Sequence, residues 1–131
     1  MLTRQRFQQI LVALSGALYL FTGAALLLAS EWFFENIGHF PPFNRHFMAD
    51  IGAFILPLGL GLLLAARAPR SQRLFIGVAA LGSFIHLGNH LYDDWLGNAW
   101  DVQHFLVETL PLAFTALALG WVALESPRLE R

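Results

Sequence analysis

The chain has 131 residues, of which 56% are hydrophobic and 13% are charged, whereas soluble domains carry about 25% charged residues. So few charges cannot cover the surface of a soluble domain, so the composition indicates a membrane protein. The absence of cysteine excludes disulfides, thiolate metal ligands and a cysteine nucleophile. All eight basic residues are arginine and the net charge is −1, so no basic tract is present that could bind nucleic acid.

Four apolar stretches, at residues 7–29, 45–66, 74–92 and 102–124, are each long enough to cross a bilayer, since a spanning helix needs about 20 apolar residues. They predict an all-α, integral membrane four-helix bundle in a single domain, residues 1–131. The first stretch follows two arginines, as in a signal peptide, but it exceeds the roughly 7 to 15 apolar residues usual there. We therefore expect it to be the first membrane helix.

Glycines and loops indicate how the spans are arranged. The first two spans each carry two glycines seven residues apart, which permit close helix packing: Gly16 and Gly23 in the first, Gly52 and Gly59 in the second. The connection between these spans contains three aromatic residues at 32–34 and is expected to lie on the membrane surface. The short link at residues 67–73 predicts that the second and third spans are antiparallel neighbours.

The arginines predict the orientation, because short loops rich in arginine stay in the cytoplasm. In the four-span topology only Arg45 falls on the opposite side from the other seven: Arg4, Arg6, Arg67, Arg70, Arg73, Arg128 and Arg131. Both termini are therefore expected to be cytoplasmic, in a multi-pass protein of the inner membrane.

Histidines and carboxylates concentrate in the outer half of this topology. The group comprises all five histidines and seven carboxylates: His39, His46, His86, His90, His104, Glu31, Glu35, Asp50, Asp93, Asp94, Asp101 and Glu108. Residues four apart share a helix face, and three spans each carry such a pair: His46 with Asp50, His86 with His90, and His104 with Glu108. Ionisable groups at this depth cost a few kcal/mol when unpaired, so the pairs are expected to face one another.

Imidazoles and carboxylates from neighbouring helices are ligands that Zn, Fe or Mn accept. We therefore predict a transition-metal site with six candidate ligands: His46, Asp50, His86, His90, His104 and Glu108. Asp50 or Glu108 would serve as the catalytic general base, and Asp94, four residues after His90, could orient its ring. The alternative is that these groups only form hydrogen bonds between helices.

Two segments, FNRHFMADIGAFILPLGLGLLLAA at 43–66 and HLGNHLYDD at 86–94, resemble a group of uncharacterised small bacterial four-helix membrane proteins that are distantly DoxX-like. The resemblance implies a compact bundle in which His46, Asp50, His86 and His90 belong to recurring motifs. It implies no particular reaction. DoxX-like relatives are linked to quinone or redox chemistry. The lack of cysteine in this chain excludes redox chemistry based on thiols.

Three functions remain open at this level. The first is a metalloenzyme acting on a lipid-like or apolar small molecule that enters between helices. The second is a non-enzymatic subunit that docks on a larger membrane protein or on another copy of itself. The third is a haem or pigment carrier that uses His86 or His90.

Overall fold

The computed structural model describes residues 3–97 and 102–125, and all regular structure in these ranges is helical. Helix α1 spans Arg4–Leu28, the short α2 spans Ser30–Asn36, α3 spans Arg45–Ala65 and α4 spans Arg73–Gly97. The last long helix combines α5 (Val102–His104), a π-helical turn (Phe105–Thr109) and α6 (Leu110–Leu124). Asp101, Arg128 and Arg131, which entered the sequence-based predictions, lie outside the described residues.

The four predicted spans are confirmed as long apolar helices of 25, 21, 25 and 23 residues. With a rise of about 1.5 Å per residue, each is long enough to cross a hydrocarbon layer about 30 Å thick. Helix α4 runs to Gly97 rather than ending at residue 92, so Asp93 and Asp94 belong to it. The segment expected on the membrane surface contains α2, a helix that the sequence pattern did not predict.

Helices α1 and α3 form the closest pair, because their glycines bring backbone against backbone. A Cβ atom on Gly16 would lie 2.9 Å from the backbone nitrogen of Leu63, and one on Gly23 or Gly59 would overlap the backbone of the facing helix. Small residues at both positions are therefore a requirement of this packing.

The second helix pair consists of α4 and α6, whereas α3 touches α4 over only a small area. One such contact places Gly61 against the ring of Phe75, close to the link that joins the two helices. The predicted packing of the second span against the third is therefore limited to their linked ends. The bundle is two packed pairs, and a gap separates them at the other end.

The two ends of the bundle differ in character. We call the end with the link at residues 66–72 the arginine end and the opposite end the histidine end. The buried apolar core, which includes Leu62, Ile76 and Leu119, lies toward the arginine end. There Arg73 also donates a hydrogen bond to the backbone oxygen of Ala123 at 2.6 Å, which ties α4 to α6.

The outside of the bundle is strongly apolar. Leu28, Phe54 and Leu74 are 81%, 82% and 84% exposed, and other large apolar side chains surround them. So many exposed apolar side chains are compatible with a surface that lipid covers.

Candidate metal centre

Three side chains from two helices converge at the histidine end. His90 comes from α4, His104 is the last residue of α5, and Glu108 belongs to the π-helical turn. One nitrogen or oxygen atom from each of the three lies within 4.8 Å of the other two. Two imidazoles and one carboxylate form a ligand set suited to Zn, Fe or Mn.

The distances indicate which atoms face a common point. Nδ1 of His104 lies 3.1 Å from Oε1 of Glu108, and Nδ1 of His90 lies 3.6 Å from Oε2 of the same carboxylate. Two ligand atoms each about 2.1 Å from a tetrahedral ion are roughly 3.4 Å apart. Each Nδ1 atom therefore lies from the Glu108 carboxylate at close to the separation of two ligands of one ion.

The other nitrogen of each ring meets a second polar group. Nε2 of His104 lies 2.7 Å from Oδ1 of Asp94, and Nε2 of His90 lies 3.2 Å from Nε2 of His86. Metal-binding histidines commonly hold the second ring nitrogen against a carboxylate or another acceptor, which fixes the tautomer and the ring plane. A proton on Nε2 of His104 would face the Asp94 carboxylate, and the Nδ1 lone pair would then face Glu108.

A local irregularity of the backbone places Glu108. Pro111 has no N–H to donate to the carbonyl of residue 107, and its ring crowds that carbonyl. The helix widens there, and the N–H of Leu110 bonds to the oxygen of Phe105 five residues earlier. Single π-turns of this kind are frequent at functional sites.

The cluster is shielded from solvent. The side chains of His90, His104 and Glu108 are 13%, 19% and 10% exposed, and that of Asp94 is 5% exposed. Among the described residues, Oδ2 of Asp94 has no hydrogen-bond partner. Because a buried carboxylate is costly unless a cation or several donors face it, the Asp94 carboxylate beside this cluster favours a bound cation.

The structure does not bring the predicted pair of His46 and Asp50 to this cluster. Nε2 of His46 lies 3.4 Å from Oδ2 of Asp50, and their side chains are 87% and 60% exposed on the outer face of α3. The reason is the rotation of α3 about its axis, since Gly52 must face α1. A role for His46 or Asp50 as ligand, and for Asp50 as general base, remains a prediction that this geometry does not support.

Two further side chains depart from the predicted arrangement. The spacing in the sequence allowed Asp94 to orient His90, but its Oδ1 lies against His104. His86 lies beside His90, outside the group of three converging atoms. The segment HLGNHLYDD at 86–94 indicated the right region of α4 but not which of its residues face Glu108.

A cavity of about 250 Å³ adjoins the cluster, between the two helix pairs. Its walls are mostly aliphatic and aromatic, and α2 with residues 37–44 covers it at the histidine end. His86, His90 and Glu108 form its polar wall. The ring of Phe40 stands edge-on to that of His90, with centroids 5.8 Å apart. The sequence pattern did not single out Phe40, for which the following proline pair was the only signal.

Comparisons of this chain with protein-family models, curated proteins and solved structures found no match. The DoxX-like resemblance of residues 43–94 therefore stays an expectation, and the function has to be argued from the site itself.

Proposed function

We propose that this chain is a multi-pass protein of the inner membrane that binds one transition-metal ion, Zn, Fe or Mn, through His90, His104 and Glu108. The observation that supports it is the convergence of three ligand atoms from two helices within 4.8 Å. Both termini lie in the cytoplasm in this proposal, because the arginine end then follows the positive-inside rule. The metal lies in the outer half of the bilayer.

Among the described residues the ligand set has three members, which favours catalysis over a purely structural role. Structural zinc sites use four protein ligands, whereas three protein ligands leave a position for water or substrate. The cavity beside His90 and Glu108 is where such a position would open. We infer a metalloenzyme acting on an apolar molecule. A bound Zn would suit hydrolysis, and a bound Fe or Mn would suit oxidation. Glu108 rather than Asp50 lies at the reacting centre in this proposal.

Elemental analysis of the detergent-purified protein, prepared without a histidine tag, tests the metal site. We expect close to one ion per chain in the natural protein and little metal in His90→Ala. His46→Ala is the matched control, since that histidine lies on the outer face of α3, and it should keep the ion. An equal loss in both variants, or no metal in the natural protein, would contradict the proposal.

A second candidate function, that of an accessory subunit, is favoured by polar pairs on the outer faces of spanning helices. His46 lies 3.4 Å from Asp50 on α3, and the amide of Asn89 donates to Asp93 at 3.2 Å on α4. Polar groups facing lipid are costly, and a partner helix would cover them. This function predicts that the protein extracted in mild detergent is part of a larger assembly, and that Asp50→Leu releases it.

A further inference from the structure

The cavity beside the metal site has the features of a binding site for an apolar chain. It is lined by apolar side chains such as Leu26, Ile51, Ile55 and Leu112 from three helices. Of the five polar side chains described in its lining, three, those of His86, His90 and Glu108, lie on the wall next to the metal site. A ligand with one polar end and a long apolar remainder matches this distribution. A ligand that is polar along its length would leave its groups unpaired.

The volume limits the size of the chain. The cavity of about 250 Å³ holds roughly eight groups the size of a water molecule, at about 30 Å³ each. A single alkyl chain of roughly ten carbons would fill it and extend a short distance beyond. A second alkyl chain of that length would exceed this volume.

The charges at the polar wall favour an uncharged head group. The carboxylates of Glu108 and Asp94 together balance a divalent cation, and imidazole ligands bind metals in their neutral form. None of the described residues that line the cavity is a lysine or an arginine. A carboxylate head would therefore bring an uncompensated negative charge into a shielded site, at a considerable cost, whereas a hydroxyl or carbonyl oxygen would not.

The route into the cavity follows from the arrangement of the two helix pairs. Residues 37–44 and α2 cover the cavity on the side of the histidine end. Helices α3 and α4 both line the cavity, yet they touch over only a small area. The seam between them faces the lipid in a spanning orientation, so an apolar molecule can reach the cavity from the membrane without crossing water.

We propose that this cavity binds an uncharged single-chain amphiphile, a long-chain alcohol or carbonyl compound, which enters from the outer leaflet between α3 and α4 and places its oxygen at the metal held by His90, His104 and Glu108. The proposal rests on the proposed metal site and names the ligand class of that site. His86 and Phe40 border the position of the head group.

Photoaffinity labelling tests the proposal. The probe is decan-1-ol with a diazirine near the methyl end, added to the metal-containing protein in lipid nanodiscs, and the labelled residues are identified by mass spectrometry. We expect labelling of cavity residues such as Ile51, Ile55 or Leu112. Unlabelled decan-1-ol should suppress it at least about tenfold more effectively than decane or decanoate, which corresponds to about 1.4 kcal/mol of binding free energy.

Two cavity-filling variants and a control make the test specific. Ile55→Trp and Leu112→Trp each place a large side chain in the cavity, and both should lose the labelling. Leu60→Trp adds the same side chain at a half-exposed position of α3 outside the cavity and should keep it. Metal content and thermal stability, measured on each sample, show that a variant remains folded and loaded.

The outcomes separate the two proposals. A loaded protein that is labelled only on its lipid-facing surface, or equally well protected by decane and decanoate, would overturn the ligand assignment and leave the metal site standing. A natural protein without metal would overturn the proposed function. Cavity labelling that decan-1-ol suppresses and that both tryptophan variants abolish supports the assignment.

Discussion

Oδ1 of Asp94 lies 2.7 Å from Nε2 of His104, across the contact between α4 and the start of the last long helix. The other nitrogen of the same ring lies 3.1 Å from Glu108. One imidazole thus stands between two carboxylates, one that would share the metal and one that would only hold the ring. This division of roles between the two acids can be tested directly.

The Asp94→Asn variant should weaken metal binding without removing the ligands. The amide keeps the shape of the side chain but loses the negative charge beside Nε2 of His104, and losing such a partner typically costs about 10–100-fold in metal affinity. Competition with a chelator of known affinity measures the change. Asp93→Asn is the control, because Asp93 is exposed and accepts from Asn89. Equal effects of the two variants would show that the buried contact has no special role.

His86→Ala distinguishes a supporting histidine from a ligand. Because Nε2 of His86 contacts Nε2 of His90 rather than Glu108, we expect an affinity loss of roughly 10–100-fold but an unchanged number of ions at saturation. Titration of the metal-free protein measures both quantities. His39→Ala, which removes a histidine that packs on the ring of Phe34, should change neither. Loss of the ion at saturation would make His86 a ligand.

Pro111→Ala tests the π-helical turn. Alanine supplies the missing N–H and favours a regular helix by about 3 kcal/mol, so Glu108 should turn away from His90. The variant is expected to be at least as stable as the natural protein in thermal unfolding yet to bind metal at least about 100-fold more weakly, because a ligand is displaced and even a lost supporting contact costs about 10–100-fold. Pro57→Ala, within α3, should leave the affinity unchanged. Full affinity in Pro111→Ala would show that the turn does not position Glu108.

Gly59→Ala tests the contact between α1 and α3. A methyl group there would overlap the backbone of Leu20, and forced overpacking typically costs about 1–3 kcal/mol. Unfolding in mixed micelles by increasing amounts of sodium dodecyl sulfate measures the loss. Gly82→Ala is the matched control, because nothing lies within 4 Å of the added atom, and it should be neutral or stabilising by up to about 1 kcal/mol. Similar changes in both would argue against close backbone packing.

Hydropathy was sufficient to find the four long helices, because apolar stretches of this length with so little charge rarely form anything but membrane spans. The i, i+4 spacing also identified two pairs that lie at the site, His104 with Glu108 and His86 with His90. Both pairs depend only on local helix geometry. These features depend only on residues that are close together in the chain, so one sequence is enough to predict them.

The misplacement of His46 and Asp50 has a different cause. Which face of α3 points inward is decided by its contact with α1, where Gly52 and Gly59 meet the facing backbone. The spacing of these glycines was visible in the sequence. The spacing alone does not specify which residues of α3 lie on the face opposite the glycines. The π-helical turn before Pro111 was not predicted either. A proline in a span predicts an irregular helix but does not specify whether the helix kinks or widens.

All three proposed metal ligands belong to one helix pair, α4 with the last long helix, whereas α1 and α3 provide much of the opposite cavity wall. The backbone contact between α1 and α3 makes that wall a closely packed unit, which is joined to the other pair through α1 but only weakly through α3. Widening the seam would then admit or release a chain while the coordination sphere keeps its shape. Turnover at such a site would be limited by this separation of the pairs, so that lipid order and membrane thickness would set the rate without altering the affinity for the ion.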